Sequence, residues 1–119
     1  MADGRELRQI SVRDISIIFG NLIDNAMECV LQYEDAEDRM IQGEVYQKQG
    51  FLMIKFRNCF YGSLQFERGL PVTTKTDKTR HGYGLKSVRY TVEKYHGTMK
   101  VSTEEGWFSV KILLPIEAP

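Results

Sequence analysis

Four polar residues on one stretch of the chain are spaced for joint chemistry. Asn21, Asn25, Glu28 and Gln32 fall within about 60° of one another if the backbone is helical, at roughly 100° per residue. Their line abuts the apolar stripe of the same helix, which predicts half-buried side chains. A desolvated amide without a partner costs about 1–3 kcal/mol, so Asn21 and Asn25 need something to bond. Two uses are open to them: the backbone of a neighbouring loop, or the oxygen shell of a hard cation such as Mg²⁺, which takes its remaining ligands from water and phosphate.

A second constellation has a different chemistry. Arg80-His81-Gly82-Tyr83-Gly84-Leu85 sets two glycines immediately before an amphipathic pattern, where free backbone amides and the positive end of a helix dipole attract phosphate. Residues 75 to 89 hold Lys75, Lys78, Arg80, Lys86 and Arg89 against Asp77 alone. That is a local excess of cations in a chain with sixteen basic and sixteen acidic residues, and it points to an anionic ligand. By itself a G-x-G is a common turn element. The segment is not a Walker loop, and it does not follow a strand as a dinucleotide fingerprint does.

The elements that must position these residues are legible in the periodicity. Ser11-Val12-Arg13-Asp14 has the form of a capping box, and Ile15, Ile18, Phe19, Leu22, Ala26, Cys29, Val30 and Tyr33 recur in steps of three and four. This predicts a helix of roughly six turns. The acidic run Glu34, Asp35, Glu37, Asp38 reads as a solvated loop. Residues 43–48 and 51–57 read as a hairpin around Gln49-Gly50, and an irregular segment follows from about Asn58 to Gly84. Phe66 is expected in the core, and Tyr61 either over a ligand or on the core. Leu85, Val88, Val92 and Tyr95 mark a second helix stopped by Gly97 and capped by His96. Residues 98–103 and 107–114 form a terminal hairpin. The expected fold is α+β, a two-layer sandwich of a mixed, mostly antiparallel sheet with helices on one face. Residues 1–10 are expected to be a tail or edge segment and 11–119 one domain.

Balance and size narrow the function. A 119-residue, net-neutral chain that is 42% hydrophobic fits a single folded module, and neither a disordered tail nor a nucleic-acid binder. Its longest apolar stretches are far short of the roughly 20 residues that cross a bilayer, so a domain without direct membrane contact is expected. Cys29 and Cys59 are expected to be free thiols, which suits the cytoplasm. Zinc held by Cys29, Cys59, His81 and His96 has no supporting spacing.

Taken together, the motifs carry a resemblance. Gly20-Asn21-Leu22-Ile23-Asp24-Asn25-Ala26-Met27-Glu28 resembles the N-box of the GHKL (Bergerat-fold) superfamily of ATPases and kinases. Thr74-Lys75 through His81-Gly82-Tyr83-Gly84-Leu85-Lys86-Ser87-Val88 resembles its G2 region, and Val92 to Gly97 continues the likeness. The similarity runs from about residue 12 and is greatest to the catalytic domains of bacterial sensor histidine kinases of the quorum-sensing type. It implies an ATP-binding domain in which Asn25, with Asn21, meets Mg²⁺. It further implies that Thr74, Lys75, His81, Gly82, Tyr83, Gly84 and Leu85 border the phosphates. Where most of the superfamily has an adenine-binding Asp, this chain has Asn58, whose amide could accept from the adenine amino group and donate to a ring nitrogen; alternatively, Asn58 simply ends its strand in a turn.

The resemblance also sorts the chemistry. Hydrolysing members have a Glu at the position of Asn21, and an amide cannot take a proton from water. A histidine imidazole is nucleophilic near neutral pH without a strong base, so transfer to histidine is the expected reaction. His81 and His96 are the only histidines, and neither lies in a phosphoacceptor-like helix. The implied partners are therefore a phosphoacceptor-histidine dimerisation domain of a membrane-anchored parent and a response regulator. The alternative is a degenerate module used for dimerisation or regulatory docking without phosphotransfer.

Overall fold

The computed structural model describes residues 10–72 and 81–116, with the backbone alone for 81–83. Helix α1 spans Val12–Val30, a turn of 3-10 helix spans Ala36–Asp38, and strands β1 and β2 span Ile41–Lys48 and Phe51–Cys59. Two short strands follow, β3 (Phe66–Glu67) and β4 (Leu70–Pro71). Helix α2 (His81–Lys94), β5 (Thr98–Glu104) and β6 (Trp107–Pro115) complete the elements of the described residues.

The main sheet has the order β1-β2-β6-β5 and every neighbouring pair is antiparallel. Its two hairpins turn through Gln49-Gly50 and Glu105-Gly106, both residues of each at positive φ, the geometry whose twist matches that of paired strands. The period-2 pattern turns Leu52, Ile54, Val101, Val110, Ile112 and Leu114 to one face. There they join Ile18 and Leu22 of α1 and Leu85, Val88 and Val92 of α2 in one buried cluster. Helices thus cover one face of an antiparallel sheet, the α+β sandwich anticipated above.

Several particulars differ from expectation. Helix α1 stops at Val30, and Tyr33 lies beyond it in the turn. Ile10, in the segment expected to be a tail or edge, is buried. Strand β2 runs on to Cys59 because its register with β6 continues to the Cys59–Trp107 pair. The irregular segment contains the β3–β4 hairpin, too short to show a period, and Phe66 stands 39% exposed on it rather than in the core. Helix α2 begins at His81, so Gly82 and Gly84 occupy its first turn and not a loop ahead of it. Both cysteines, by contrast, are free thiols as expected.

Candidate functional site

Ser11 caps α1 as its hydroxyl accepts from the Asp14 amide at 3.1 Å. The Asp14 carboxylate does not complete a capping box. It is 4% exposed and turns to α2, where Lys94 pairs with it at 2.9 Å and the Tyr95 hydroxyl donates to it. Those two bonds, Tyr95 first, hold the Asp14 carboxyl down to about 2. The same Tyr95 oxygen accepts from the Ser11 amide at 3.1 Å. The start of α1 is thereby fastened to the end of α2, which lays the two helices antiparallel.

Antiparallel packing brings the middle of α1 to the start of α2. Along α1 a ridge in steps of four carries Arg13, Ile17, Asn21, Asn25 and Cys29. Its first three members and Lys86, Tyr90 and Lys94 of α2 line an open groove of about 800 Å³. At the groove's end the Asn21 amide nitrogen donates back to the Ile17 carbonyl at 2.8 Å, and the Asn21 Oδ1 faces Gly84: a β-carbon at position 84 would lie 3.4 Å from it. The first turn of any α-helix has amides without intrahelical acceptors, and Gly82 and Gly84 stand in that turn.

The far end of the ridge reaches the sheet. The Cys29 thiol donates to the Cys59 carbonyl at 3.7 Å, and burial pushes that thiol up, opposed in part by a hydrogen bond from Asn58. Asn58 itself is 2% exposed, and its amide nitrogen donates to the Cys59 carbonyl at 2.9 Å. The donor half of the expected two-point match to a base is therefore engaged by the protein, and any contact to a base from this residue falls to its oxygen. Asn25 is half-buried and lies one turn from Asn21 and one turn from Cys29. The two ends of this row stand about 12 Å apart, eight residues at 1.5 Å each.

The expected residues divide accordingly. Asn21, Asn25, Gly84, Leu85 and Asn58 are gathered along one side of α1, with Leu85 buried beneath α2. Gly82 contributes backbone in the first turn of α2. Thr74 and Lys75 lie outside the described residues, as do the side chains of His81 and Tyr83. Arg89, counted above among the cations toward an anion, gives its guanidinium to the Arg68 carbonyl in the β3–β4 turn. His96 stands at positive φ, the second residue beyond the helix. Tyr61 neither packs on the core nor stands free: its hydroxyl donates to Asp38 at 3.0 Å, and its ring meets Tyr33 edge-on at 5.4 Å. Among the described residues no group of three or more His, Cys, Asp or Glu side chains is placed to hold a metal ion, and no helix is long and apolar enough to cross a membrane.

Comparison with known proteins bears on this geometry. Residues 10–115 match the family model described as the GHKL domain. No curated protein matches the sequence. Among solved structures, the chain resembles the Acinetobacter baumannii histidine kinase AdeS with a TM-score of 0.60 and 19% identity. The alignment covers 89% of this chain and 47% of that one, so the chain spans about half the length of that protein. At this identity the likeness concerns the fold.

Proposed function

The chain belongs to the GHKL domain family, and from that premise we propose that it is the ATP-binding catalytic domain of a two-component sensor histidine kinase of the quorum-sensing branch. In this reading it passes the γ-phosphate of ATP to a histidine on a separate dimerisation segment. The observation that carries the reading is the row on α1, with Asn21 against Gly84 at the first turn of α2 and Cys29 against Asn58 and Cys59 at the end of β2. Polar oxygen, helix-start amides and a strand-end amide lie along one side of a single helix, as a metal, phosphates and a base would need.

The residues fit the ligands in chemical type. Amide oxygens of Asn25 and Asn21 suit a hard cation, and Mg²⁺, when bound, neutralises charge on the transferred phosphoryl group. The backbone from Gly82 to Leu85 would hold the phosphates, joined by His81, Tyr83, Thr74 and Lys75, with Asn58 at the base. Asn21 fixes its own oxygen by spending its nitrogen on Ile17, and it supplies no base to activate water. Transfer to an imidazole needs none. The further partners are the phosphoacceptor-histidine dimerisation domain of the parent and a response regulator, and the domain would work in the cytoplasm beneath a membrane-anchored parent.

Titration of the domain with a non-hydrolysable ATP analogue and Mg²⁺ tests the reading. The melting temperature should rise by several degrees, and Asn25→Ala should remove the rise. No thermal or calorimetric response at millimolar nucleotide would overturn it. Transfer of labelled γ-phosphate to an added dimerisation segment then tests the reaction. The second reading, a docking module without phosphotransfer, draws on the engaged donor of Asn58. It predicts partner binding that is indifferent to nucleotide.

A further inference from the structure

The face of the sheet turned away from the helices carries a charge pattern that the fold does not need. Register sets Glu44, Lys55, Lys111 and Lys100 in one row across β1, β2, β6 and β5. Three lysines thus stand on adjacent strands, about 4.8 Å apart by strand spacing, and like charges directly opposite one another weaken a sheet. One row further on, Arg57 is held in place: its Nε donates to Gln42 at 2.6 Å, and its guanidinium lies 4.2 Å over the Trp107 ring. The chain as a whole is neutral, so this face is basic through segregation of charge. On the row at the other side of the lysines, half-buried Leu113 lies beside buried Met53 and is the apolar group of the pair that reaches the surface.

We propose that this face docks an acidic polypeptide segment, its carboxylates meeting Lys55, Lys111, Lys100 and Arg57 and its apolar groups meeting Leu113. Charge complementarity sets the sign of the partner, and the edges of the sheet set its width. Glu44 on β1 and Glu104 on β5 stand on the two outer strands. A broad anionic plane such as a lipid surface would press on both carboxylates. A narrow segment lying along β2 and β6 meets the cations and clears them. This face is on the far side of the sheet from Asn21 and Gly84, so docking leaves the proposed nucleotide site open.

Trp107 is the single tryptophan of the chain, and it reports directly on Arg57. Titration of the chain with a glutamate-rich peptide at low salt should change Trp107 emission to saturation. The double variant Lys55→Glu, Lys111→Glu should weaken binding by about tenfold or more, as reversal of paired charges does, and the single neutral variant Lys111→Gln should weaken it in the same direction with the melting temperature retained. Arg13→Glu, on the helical side, should leave it unchanged. The proposal is overturned by the absence of a saturable change, by equal weakening in Arg13→Glu, by binding that survives Lys111→Gln and the double reversal, or by tighter binding to anionic phospholipid vesicles than to the peptide.

Discussion

Gly84 in the first turn of α2 packs against Asn21 of α1, with room for a β-carbon 3.4 Å from the Asn21 Oδ1. Glycine in a helix costs about 0.5–1 kcal/mol relative to alanine, and this contact distance is an ordinary one, so stability alone does not ask for glycine here. Gly84→Ala should raise the melting temperature of the free domain. The same methyl group fills the space beside the helix-start amides, so the nucleotide-induced rise should shrink. Scanning calorimetry with and without nucleotide reads both signs, and a variant that gains in both states would separate Gly84 from the phosphates.

The end of α2 divides its work between two residues. His96 at φ 62 takes the left-handed position, while its amide bonds Glu93 and the Gly97 amide bonds Val92, the pattern of a Schellman cap. Gly97 is needed for space: a β-carbon there would lie 2.5 Å from the Leu113 carbonyl oxygen and 2.8 Å from Leu114. Gly97→Ala should therefore cost about 1–3 kcal/mol. His96→Gly should gain about 1 kcal/mol by relieving the left-handed backbone. Urea unfolding of the two variants checks the opposite signs.

The Asp14 carboxyl, held at about 2 by Tyr95 and Lys94, makes stability depend on acid. Its folded value lies below its ordinary one of 3.8, so its contribution is complete above about pH 4 and is lost as pH falls toward 2. Asp14→Asn should be less stable at neutral pH and should flatten the acid limb of a stability-against-pH curve in that window. Tyr95→Phe should move the same limb to higher pH, because it removes the larger of the two causes.

A carboxylate at position 58 should harm this chain. The Asn58 nitrogen donates to the Cys59 carbonyl in a site 2% exposed, and a carboxylate there would face that carbonyl with no proton to give. Asn58→Asp should cost at least as much as Asn58→Ala, about 1–3 kcal/mol, measured by urea midpoint at neutral pH. An Asn58→Asp variant that stays stable and responds to nucleotide would show that the local bond is dispensable.

Much of this was legible in the sequence where the cause is local. The Ser11 cap, the apolar steps of α1 and the two glycine turns each depend on residues within a few positions, and period-2 alternation was enough to sort β2 and β6 by face. What escaped depends on distant contacts. The partners of Asp14 lie 80 and 81 positions away. Gly97 read as the helix stop, but the Leu113 carbonyl that dictates it belongs to another strand. The glycines at 82 and 84 read as loop because isolated helices avoid them, whereas both lie in the first turn of α2 and Gly84 packs against Asn21 of α1. Asn21 and Asn25 stand out by residue type and helical spacing, and Asn58 through the family resemblance; that the Asn58 donor is already engaged is a property of the folded neighbourhood alone.

The tie among Asp14, Lys94 and Tyr95 makes a pair of tweezers of the two helices, jointed at one end. From that joint to Asn21 is about 10 Å along α1 and to Asn25 about 16 Å, at 1.5 Å per residue. A small angular opening of one arm against the other moves Asn25 further than Asn21, while the joint itself stays shut. Acid that loosens the joint would then slacken the grip at the tips with no change in Asn21 or Asn25 themselves.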